Sequence, residues 1–354
     1  MKHFSLVPLV LLVISCATPE PVAEAPAAQI PVRVVVVTMF ENGEDSGDRP
    51  GEFQNWVERL PLDSVIEFPQ GYRQLRYNAE KQVLGMVTGM GTARAAASVM
   101  ALGMDPRFDL SQAYWLVAGI AGVDPEDASA GSAAWAEWLI DGDLSHEIDA
   151  REIPDDWATG FLPLRAATPY QEPLPDDPEG AFYHLNPELV DWAYQLTKDT
   201  ELQDNEAVAN LRSLYKSHPN AQKPPFVLKG DQLAASTYWH GQLLNQWAND
   251  WTRYWTQGKG NFVTSAMEDT GTLQSLSFLA QDGRANLDRV LVLRTASNYT
   301  MQYDGITAAE SLSGEKLQGK GYTAFLPALD AAYRVGSQVV LELTDHWDQY
   351  GPGK

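Results

Sequence analysis

A run of β-branched residues near the start of the chain restricts the possible folds most strongly. Residues 32–38 read VRVVVVT, which is the pattern of a strand covered on both faces, as in a parallel sheet. Predicted strands at 83–88 and 114–118 each run into a glycine-containing turn, and the first turn leads into an alanine-rich helix at 93–102. Alternating strands, turns and helices indicate an α/β fold. Because ligands bind at the carboxyl ends of such strands, the two glycine turns mark the predicted site.

The rest of the pattern completes one large domain, predicted at 32–354. Residues 143–225 break the regular alternation with clustered prolines, and we interpret them as an inserted lobe. Further strands are predicted at 132–140, 226–229 and 289–294, and helices at 52–59, 187–197, 205–216, 233–255 and 323–343. In the helix at 233–255, large side chains at every fourth position predict a stripe that packs in the core: Trp239, Leu243, Trp247, Trp251 and Trp255.

The first residues predict the cellular location. A basic start and an apolar run at 4–14, too short for a transmembrane helix, indicate a signal peptide. The motif Val-Ile-Ser-Cys at 13–16 resembles the lipobox of bacterial lipoproteins, so we expect a signal peptide at 1–16 and lipidation of Cys16. Residues 17–31 predict a flexible linker rich in Pro, Ala and Glu. Together these features predict a protein of the bacterial cell envelope, held by lipid alone at the outer membrane and facing the periplasm; an ordinary signal peptide with a chance cysteine is the alternative.

Charge and residue usage argue against several classes of partner. The net charge is -22, with 47 acidic and 25 basic residues, whereas binding to nucleic acid requires a basic face. The six histidines lack the HxxxH and HExxH spacings of metal sites, and the single cysteine is assigned to the anchor. We therefore expect neither a metal nor another cofactor. A homo-oligomer stays possible.

Five sequence blocks together resemble the purine nucleoside permease family. They are VVVVTMFENGEDSGDRPGEFQNWVERLPL, VTGMGTARAA, GIAGVDPEDASAGSAAWAEW, LKGDQLAASTYWHG and AMEDTGTL. That family in turn is similar to the nucleoside phosphorylase superfamily, which includes the methylthioadenosine nucleosidases. The resemblance implies a three-layer α/β/α sandwich with a mixed central sheet and a ligand made of a purine and a ribose.

The resemblance leaves three functions open. The first is binding of purine nucleosides at the cell envelope to assist their transport across the membrane. The second is an enzyme acting in the same pocket, either a nucleosidase that uses water or a nucleoside phosphorylase. The third is an envelope interaction protein with a vestigial pocket. Phosphorylases of the superfamily commonly carry an arginine where this chain has Ala118, which argues against phosphorolysis.

The two glycine turns carry the first predicted ligand-binding residues. Gly89 and Gly91 resemble the superfamily's turn near the ribose, where a following helix presents free N–H groups, although a plain tight turn fits the same residues. Arg94 is the only cation in this stretch and either meets an anion or lies in solvent. Three residues resemble the second turn beside the base and ribose: Gly119, Ala121 and Gly122.

Two residue pairs resemble the superfamily's contacts to sugar and base. Met267 and Glu268 match the pair that holds ribose, with the carboxylate accepting hydrogen bonds from the sugar hydroxyls; a role for Glu268 in capping the next helix is the alternative. Ser297 and Asn298 stand where nucleosidases carry Ser-Asp and use the Asp to protonate the purine. Asn298 can form a hydrogen bond but cannot deliver a proton, so catalysis is weakened, and a plain turn residue is the alternative.

The remaining candidates are acids and aromatic residues. Nucleosidases activate water with a glutamate soon after the first strand, which makes Glu41 and Glu52 the candidates here, with a surface acid as the alternative. Asp231 resembles an aspartate that the superfamily carries beside the base pocket; it equally suits the N-cap of the helix that follows, and both roles can hold together. Tyr238, Trp239 and His240 lie nearest the predicted pocket, and one aromatic ring there is predicted to stack on the purine, with Tyr238 as the candidate. His240 follows it in the same motif, with little support as a general base.

Overall fold

The computed structural model describes residues 29–174, 180–317 and 322–353. Sixteen strands are described within these ranges. They are β1 Ile30–Pro31, β2 Val34–Thr38, β3 Ser64–Ile66, β4 Leu75–Asn78, β5 Val83–Val87, β6 Phe108–Asp109, β7 Tyr114–Val123, β8 Ala133–Ala136, β9 Trp138–Asp141, β10 Ser145–Glu147, β11 Phe161–Pro163, β12 Phe182–His184, β13 Val227–Lys229, β14 Asp231–Ala234, β15 Phe262–Ala266 and β16 Val290–Tyr299.

Nine α-helices are described in the same ranges. They are α1 Gln54–Arg59, α2 Thr92–Gly103, α3 Pro187–Thr197, α4 Glu206–Arg212, α5 Gln242–Trp255, α6 Asp269–Gln281, α7 Ala308–Leu317, α8 Phe325–Asp345 and α9 Trp347–Tyr350. None of the helices in the described part of the chain combines the length and apolar character that crossing a membrane requires. The signal peptide predicted at 1–16, including Cys16, lies outside the described residues, as does most of the predicted linker.

A mixed sheet of twelve strands forms the centre of the molecule. Its main path runs β12-β9-β14-β15-β7-β2-β5-β4-β3, and β16 lies between β7 and β8. Strand β2 pairs in parallel with both β5 and β7, and all five of its residues are buried. The prediction of a strand covered on both faces is confirmed, because β-branched side chains fill both sides of the pleat.

Helices pack on the sheet and on one another. Helix α8 packs against β7 and β16, and α2 packs against α6. Helix α5 packs against β9, β14 and β15. The predicted aromatic stripe is confirmed as core for four residues, Trp239, Trp247, Trp251 and Trp255, whereas Leu243 is 87% exposed. The α/β class and the mixed central sheet predicted from the sequence are confirmed.

Three predicted element boundaries differ from those in the structure. The helix predicted at 233–255 begins at Gln242, because residues 231–234 form the buried strand β14 between β9 and β15. The strand predicted at 132–140 is two strands, β8 and β9, with different neighbours. Strand β16 continues to Tyr299, so Ser297 and Asn298 lie within a strand rather than in a turn.

The second glycine turn was also predicted wrongly. Gly119, Ala121 and Gly122 belong to β7, which continues to Val123 and pairs in parallel with β16. Their small size has a packing cause: a Cβ on Gly119 would overlap the side chains of Met39 and Glu52. The strand therefore uses glycine to let neighbouring side chains approach its backbone, not to reverse direction.

Residues 143–225 contribute several separate elements to the structure. Strands β10 and β11 form a separate antiparallel pair, whereas β12 adds to the main sheet beside β9. Helix α3 begins with the Asn186 side chain accepting hydrogen bonds from two backbone N–H groups and packs against α8. The description of this segment as an inserted lobe stays a prediction.

Candidate ligand-binding site

A cavity of about 210 Å³ lies where the carboxyl ends of β2, β5 and β16 meet the last residues of β7 and β15. Its lining is mostly apolar and aromatic, with a few polar groups, as is usual for a small-molecule site. The lining residues are Met39, Phe40, Glu52, Met90, Ile120, Ala121, Gly122, Tyr238, Ser265, Ala266, Met267, Glu268, Ser297, Asn298, Tyr322 and Phe325.

Most of the residues singled out from the sequence meet at this cavity. Those that line it are Glu52, Ala121, Gly122, Tyr238, Met267, Glu268, Ser297 and Asn298. Gly91 borders it through its backbone, since its N–H donates to Glu268 Oε1 at 3.0 Å. Gly119 lies directly against the Glu52 side chain. Residues distant in sequence are thus brought to one place by the ends of five strands.

The first glycine turn is confirmed and holds the Glu268 carboxylate. Gly89 and Gly91 have φ values of 85° and 94°, a region that side chains with a Cβ rarely adopt. This backbone path aims the Gly91 N–H at Glu268 just before helix α2 begins. Glu268 is the N-cap residue of helix α6, but its side chain makes no capping hydrogen bond and reaches across to the turn.

Arg294 is the central charged residue that sequence reasoning missed. Its side chain is 1% exposed, and its Nη2 lies 2.6 Å from Asp269 Oδ2 and 3.1 Å from Glu268 Oε2. Its Nη1 donates to the Ile120 carbonyl at 3.1 Å. A buried guanidinium requires such partners because transfer from water costs several kcal/mol. The available signal was an arginine directly after the apolar run of β16, a position that demands buried acids nearby.

Burial perturbs the protonation of the two acids that face the cavity. Burial raises the pKa of Glu268, and the positive charge of Arg294 opposes this rise. Burial raises the pKa of Glu52 to about 8, with Arg294 opposing the rise and Glu268 adding to it. Perturbed carboxyls inside a cleft are typical of functional sites.

Glu52 and Glu41, the two candidates for water activation, have different surroundings. The Glu52 carboxylate lies at the cavity, accepting hydrogen bonds from Met39 N at 2.7 Å and Ile120 N at 2.8 Å. Glu41 is not among the lining residues, and its Oε2 accepts from Phe53 N at 2.9 Å and Gln54 N at 2.6 Å. Glu41 therefore holds the start of α1, and the structure brings Glu52 alone of the pair to the cavity.

Asn298 is fixed within a short polar chain at the cavity. Its Nδ2 donates to the Tyr238 hydroxyl at 2.9 Å and to the Tyr299 carbonyl at 3.1 Å. The Ser297 hydroxyl lies 2.9 Å from Asn298 Oδ1. Tyr238 also faces Tyr322, whose ring is nearly parallel at a centroid distance of 6.2 Å. This part of the lining combines a rigid amide with aromatic surface.

Besides Glu41 and the glycines Gly89, Gly91 and Gly119, three candidates are not among the cavity lining. Arg94 lies on the exposed side of α2. Asp231 belongs to β14, so its predicted role as a helix cap was wrong; its carboxylate accepts from the backbone N–H groups of Trp138 at 2.8 Å and Asn261 at 2.6 Å. His240 forms a hydrogen bond through Nε2 with the Ser311 hydroxyl at 3.1 Å, and burial lowers the pKa of His240. Among the described residues, no group of three or more His, Cys, Asp or Glu could hold a metal ion.

The fold is similar to that of solved nucleosidases. A 5′-methylthioadenosine/S-adenosylhomocysteine nucleosidase from S. pneumoniae superposes with a TM-score of 0.51 at 14% sequence identity, covering 88% of this chain and 99% of that chain. At such identity the likeness concerns the fold alone. The predicted sandwich of the nucleoside phosphorylase type is confirmed.

Two curated relatives come from fungi. A probable purine nucleoside permease of Schizosaccharomyces pombe is 31% identical over 296 residues, covering 81% of this chain and 83% of its own. A purine nucleoside permease of Candida albicans is 29% identical over 322 residues, covering 90% and 76%. Their origin contradicts the bacterial outer-membrane localisation predicted from the N-terminus, which was wrong. A lipobox is only four residues of common types, so a match carries little information.

The match to the family extends over nearly the whole chain. Residues 31–354 match the purine nucleoside permease family, a span that contains the complete sheet and every cavity residue. The chain therefore belongs to the purine nucleoside permease family.

Proposed function

We propose that the cavity binds a purine nucleoside and that the protein uses this binding in nucleoside uptake. The observation that carries the proposal is the position of Glu268, buried beside the Gly89–Gly91 turn and facing the cavity. The role in uptake is supported by the family match and by the names of the relatives.

The ribose fits the end of the cavity that Glu268 forms. A carboxylate offers about four lone-pair positions. Gly91 N and Arg294 take two of them, and Met267 N contacts a third at 3.3 Å. The remaining capacity is available to sugar hydroxyls. Met267 and Met90 supply apolar surface for the carbon face of the sugar.

The purine fits against the aromatic residues of the lining. Tyr238 and Tyr322, whose rings are nearly parallel, line the cavity together with Phe325, and a planar base gains from contact with such rings. The amide of Asn298 lies against Tyr238 and offers a hydrogen bond to the base edge. In this proposal the sugar is recognised by the start of α6 and the Gly89–Gly91 turn. The base is recognised by β16 and by Tyr238, which lies between β14 and α5.

Isothermal titration calorimetry on the full chain tests the proposal with adenosine, inosine and guanosine. We expect micromolar binding of at least one nucleoside, and we expect Glu268→Gln to weaken it about 100-fold, since hydrogen bonds to a charged group contribute roughly 1.5–3 kcal/mol each. Glu188→Gln, an exposed acid at the start of α3, is the matched control and retains affinity. No binding by the wild-type chain, or equal binding by Glu268→Gln, contradicts the proposal.

A second candidate is hydrolysis of the nucleoside, and Glu52 favours it. This buried carboxyl faces the same cavity as Glu268, and burial raises its pKa to about 8. In its deprotonated form it has the properties of a base that takes a proton from water. Asn298 argues against efficient cleavage because an amide delivers no proton to the leaving base. The lining, as far as the structure describes it, contains two carboxyls and no Lys or Arg, which disfavours phosphate as the attacking group.

Chromatography of the free base separates the two candidates. If the chain hydrolyses nucleosides, base appears without phosphate, the rate rises with pH as Glu52 deprotonates near pH 8, and Glu52→Gln abolishes it. Phosphate should not accelerate the reaction. Nucleoside that binds but stays intact across pH 6–9 rejects hydrolysis and leaves the binding role.

A further inference from the structure

Two of the lining residues form the mouth of the cavity. Met90 is 53% exposed and Tyr238 is 39% exposed, whereas the other lining residues that the structure describes are buried or half-buried. A residue that both lines a cavity and meets solvent lies at its opening. Met90 belongs to the Gly89–Gly91 turn, and Tyr238 belongs to three consecutive exposed residues, 236–238, which we call the mouth segment. A nucleoside that enters at this opening passes between the turn and the mouth segment.

Two hydroxyl groups join the mouth segment to the residue that follows the turn. The Ser236 hydroxyl accepts from Thr92 N at 3.1 Å and donates to Thr92 Oγ1 at 3.0 Å. The Thr92 hydroxyl donates in turn to the Met267 carbonyl at 3.1 Å, next to Glu268 in the chain. We call the Ser236–Thr92 pair the latch. It connects the two sides of the mouth to the residues that are proposed to hold the ribose.

The mouth segment has fixed ends and a middle that is held through side chains. Before it, Ala235 donates its N–H to a β15 carbonyl at 3.0 Å, and after it Trp239 is 9% exposed and packs in the aromatic core. Its middle is held by the latch, by the Tyr238 hydroxyl and by Asp143 Oδ2, which accepts from Ser236 N at 2.5 Å. Hydrogen bonds at exposed positions are the ones that local opening breaks most easily. The middle of the segment can therefore open while its ends stay in place.

Resting on the proposed nucleoside site, we infer that the latch closes the mouth and sets the rates at which a nucleoside enters and leaves. Neither Ser236 nor Thr92 is among the cavity lining, and their hydroxyls bond each other rather than a ligand. The latch therefore holds the same two segments together in the empty and the occupied protein. Weakening it speeds entry and exit alike and leaves Kd nearly unchanged. A residue that contacts the nucleoside would instead change Kd, mainly through the dissociation rate.

The first test measures association and dissociation rates of the full chain by stopped-flow fluorescence with 2-aminopurine riboside, a fluorescent purine nucleoside. Ser236→Ala removes both hydrogen bonds of the latch, so both rates are expected to rise together by at least about threefold. Ser236→Thr keeps the hydroxyl and is expected to retain the wild-type rates. Ser213→Ala is the matched control, since this exposed serine donates to the Asn210 carbonyl in α4.

The outcomes separate the latch from the proposed function. Unchanged rates in Ser236→Ala, or a change confined to its dissociation rate, overturn the latch but leave nucleoside binding intact. An equal rise in Ser213→Ala also overturns it. Absence of binding by the wild-type chain, to this probe and to adenosine, overturns the proposed function as well.

The second test locks the latch with a covalent bond. The two hydroxyl oxygens lie 3.0 Å apart, so the double variant Thr92→Cys and Ser236→Cys brings two thiols close enough for oxidation to join them. Protein that is loaded with 2-aminopurine riboside and then oxidised is expected to release it at least about tenfold more slowly than the same protein after reduction. Ser236→Cys alone, treated identically, controls for oxidation of Cys16 and is expected to show no such difference. Equally fast release from the cross-linked and the reduced protein overturns the inference, because the nucleoside then leaves by another route.

Discussion

Asp231 and Glu268 are buried acids of similar exposure, 6% and 4%, at two neighbouring strands of the sheet. The Asp231 carboxylate joins the β8–β9 junction to the residue before β15 through backbone N–H groups alone. The Glu268 carboxylate has a backbone partner in Gly91 and a charged partner in Arg294, and it also faces the cavity. The comparison shows that burial alone does not distinguish a structural acid from a ligand-binding one. The distinction lies in whether the carboxylate faces only backbone N–H groups or also a cavity. One acid fixes the chain path, and the other is positioned for a ligand.

Removing the charge that supports Glu268 is expected to have the largest effect. Arg294→Met leaves Glu268 and Asp269 as buried acids without their cation, which typically costs about 3–5 kcal/mol in the free energy of unfolding. Urea unfolding of the full chain measures this loss. A change below about 1 kcal/mol would show that the buried network contributes little to stability and that Glu268 does not depend on Arg294.

Removing Asp231 is expected to affect stability without affecting ligand binding. Asp231→Ala leaves three backbone N–H groups without their acceptor, so the free energy of unfolding is expected to fall by about 2–4 kcal/mol. Calorimetry on the folded fraction should give the wild-type nucleoside affinity. A tenfold loss of affinity per folded molecule would remove the distinction between the two acids.

The pH dependence of stability tests the buried state of Glu52. Burial raises the pKa of Glu52 from 4.5 to about 8, so between these values the folded state holds a proton that the unfolded chain releases. This contribution to stability is complete below pH 4.5 and is lost as pH rises through about 8. From pH 6 to 7 the loss approaches about 1.4 kcal/mol. Urea unfolding at several pH values should show that the free energy of unfolding declines less steeply with pH in Glu52→Gln than in the wild type. Identical slopes would contradict a raised pKa for Glu52.

Arg94 provides the smallest expected effect and a contrast to Arg294. Its side chain is exposed on α2 and is not among the cavity lining. Arg94→Ala is expected to change the free energy of unfolding by less than about 0.5 kcal/mol and to leave nucleoside affinity within twofold. Thermal unfolding and calorimetry check both. A large loss of affinity would restore Arg94 as a ligand contact.

The sequence predicts those elements whose residue pattern is set by their own burial, without reference to distant parts of the chain. The β-branched run of β2 and the apolar periodicity of α3 give their elements nearly to the residue. Strand β14 was missed because four residues carry too little periodicity to distinguish a short buried strand from the start of the following helix. The glycines of β7 were assigned to a turn because a glycine that makes room for Met39 reads the same as one that reverses the chain.

Site residues that lie in the family's sequence blocks could be predicted. Site residues that only the tertiary structure brings to the cavity could not. Glu268 and Asn298 were identified by their motifs, and the structure brings both to one cavity. Arg294 was missed because an arginine at the end of an apolar run usually marks the edge of a strand; here β16 continues for five more residues. The direction of the Asn298 amide follows from three neighbours that no linear pattern specifies.

A crystal structure of the full chain with adenosine bound tests the central claim most directly. The account predicts sugar hydroxyls within hydrogen-bonding distance of the Glu268 carboxylate and the purine ring in contact with Tyr238 and Asn298. Adenosine bound outside the cavity, or bound within it with the ribose away from Glu268, would contradict the account.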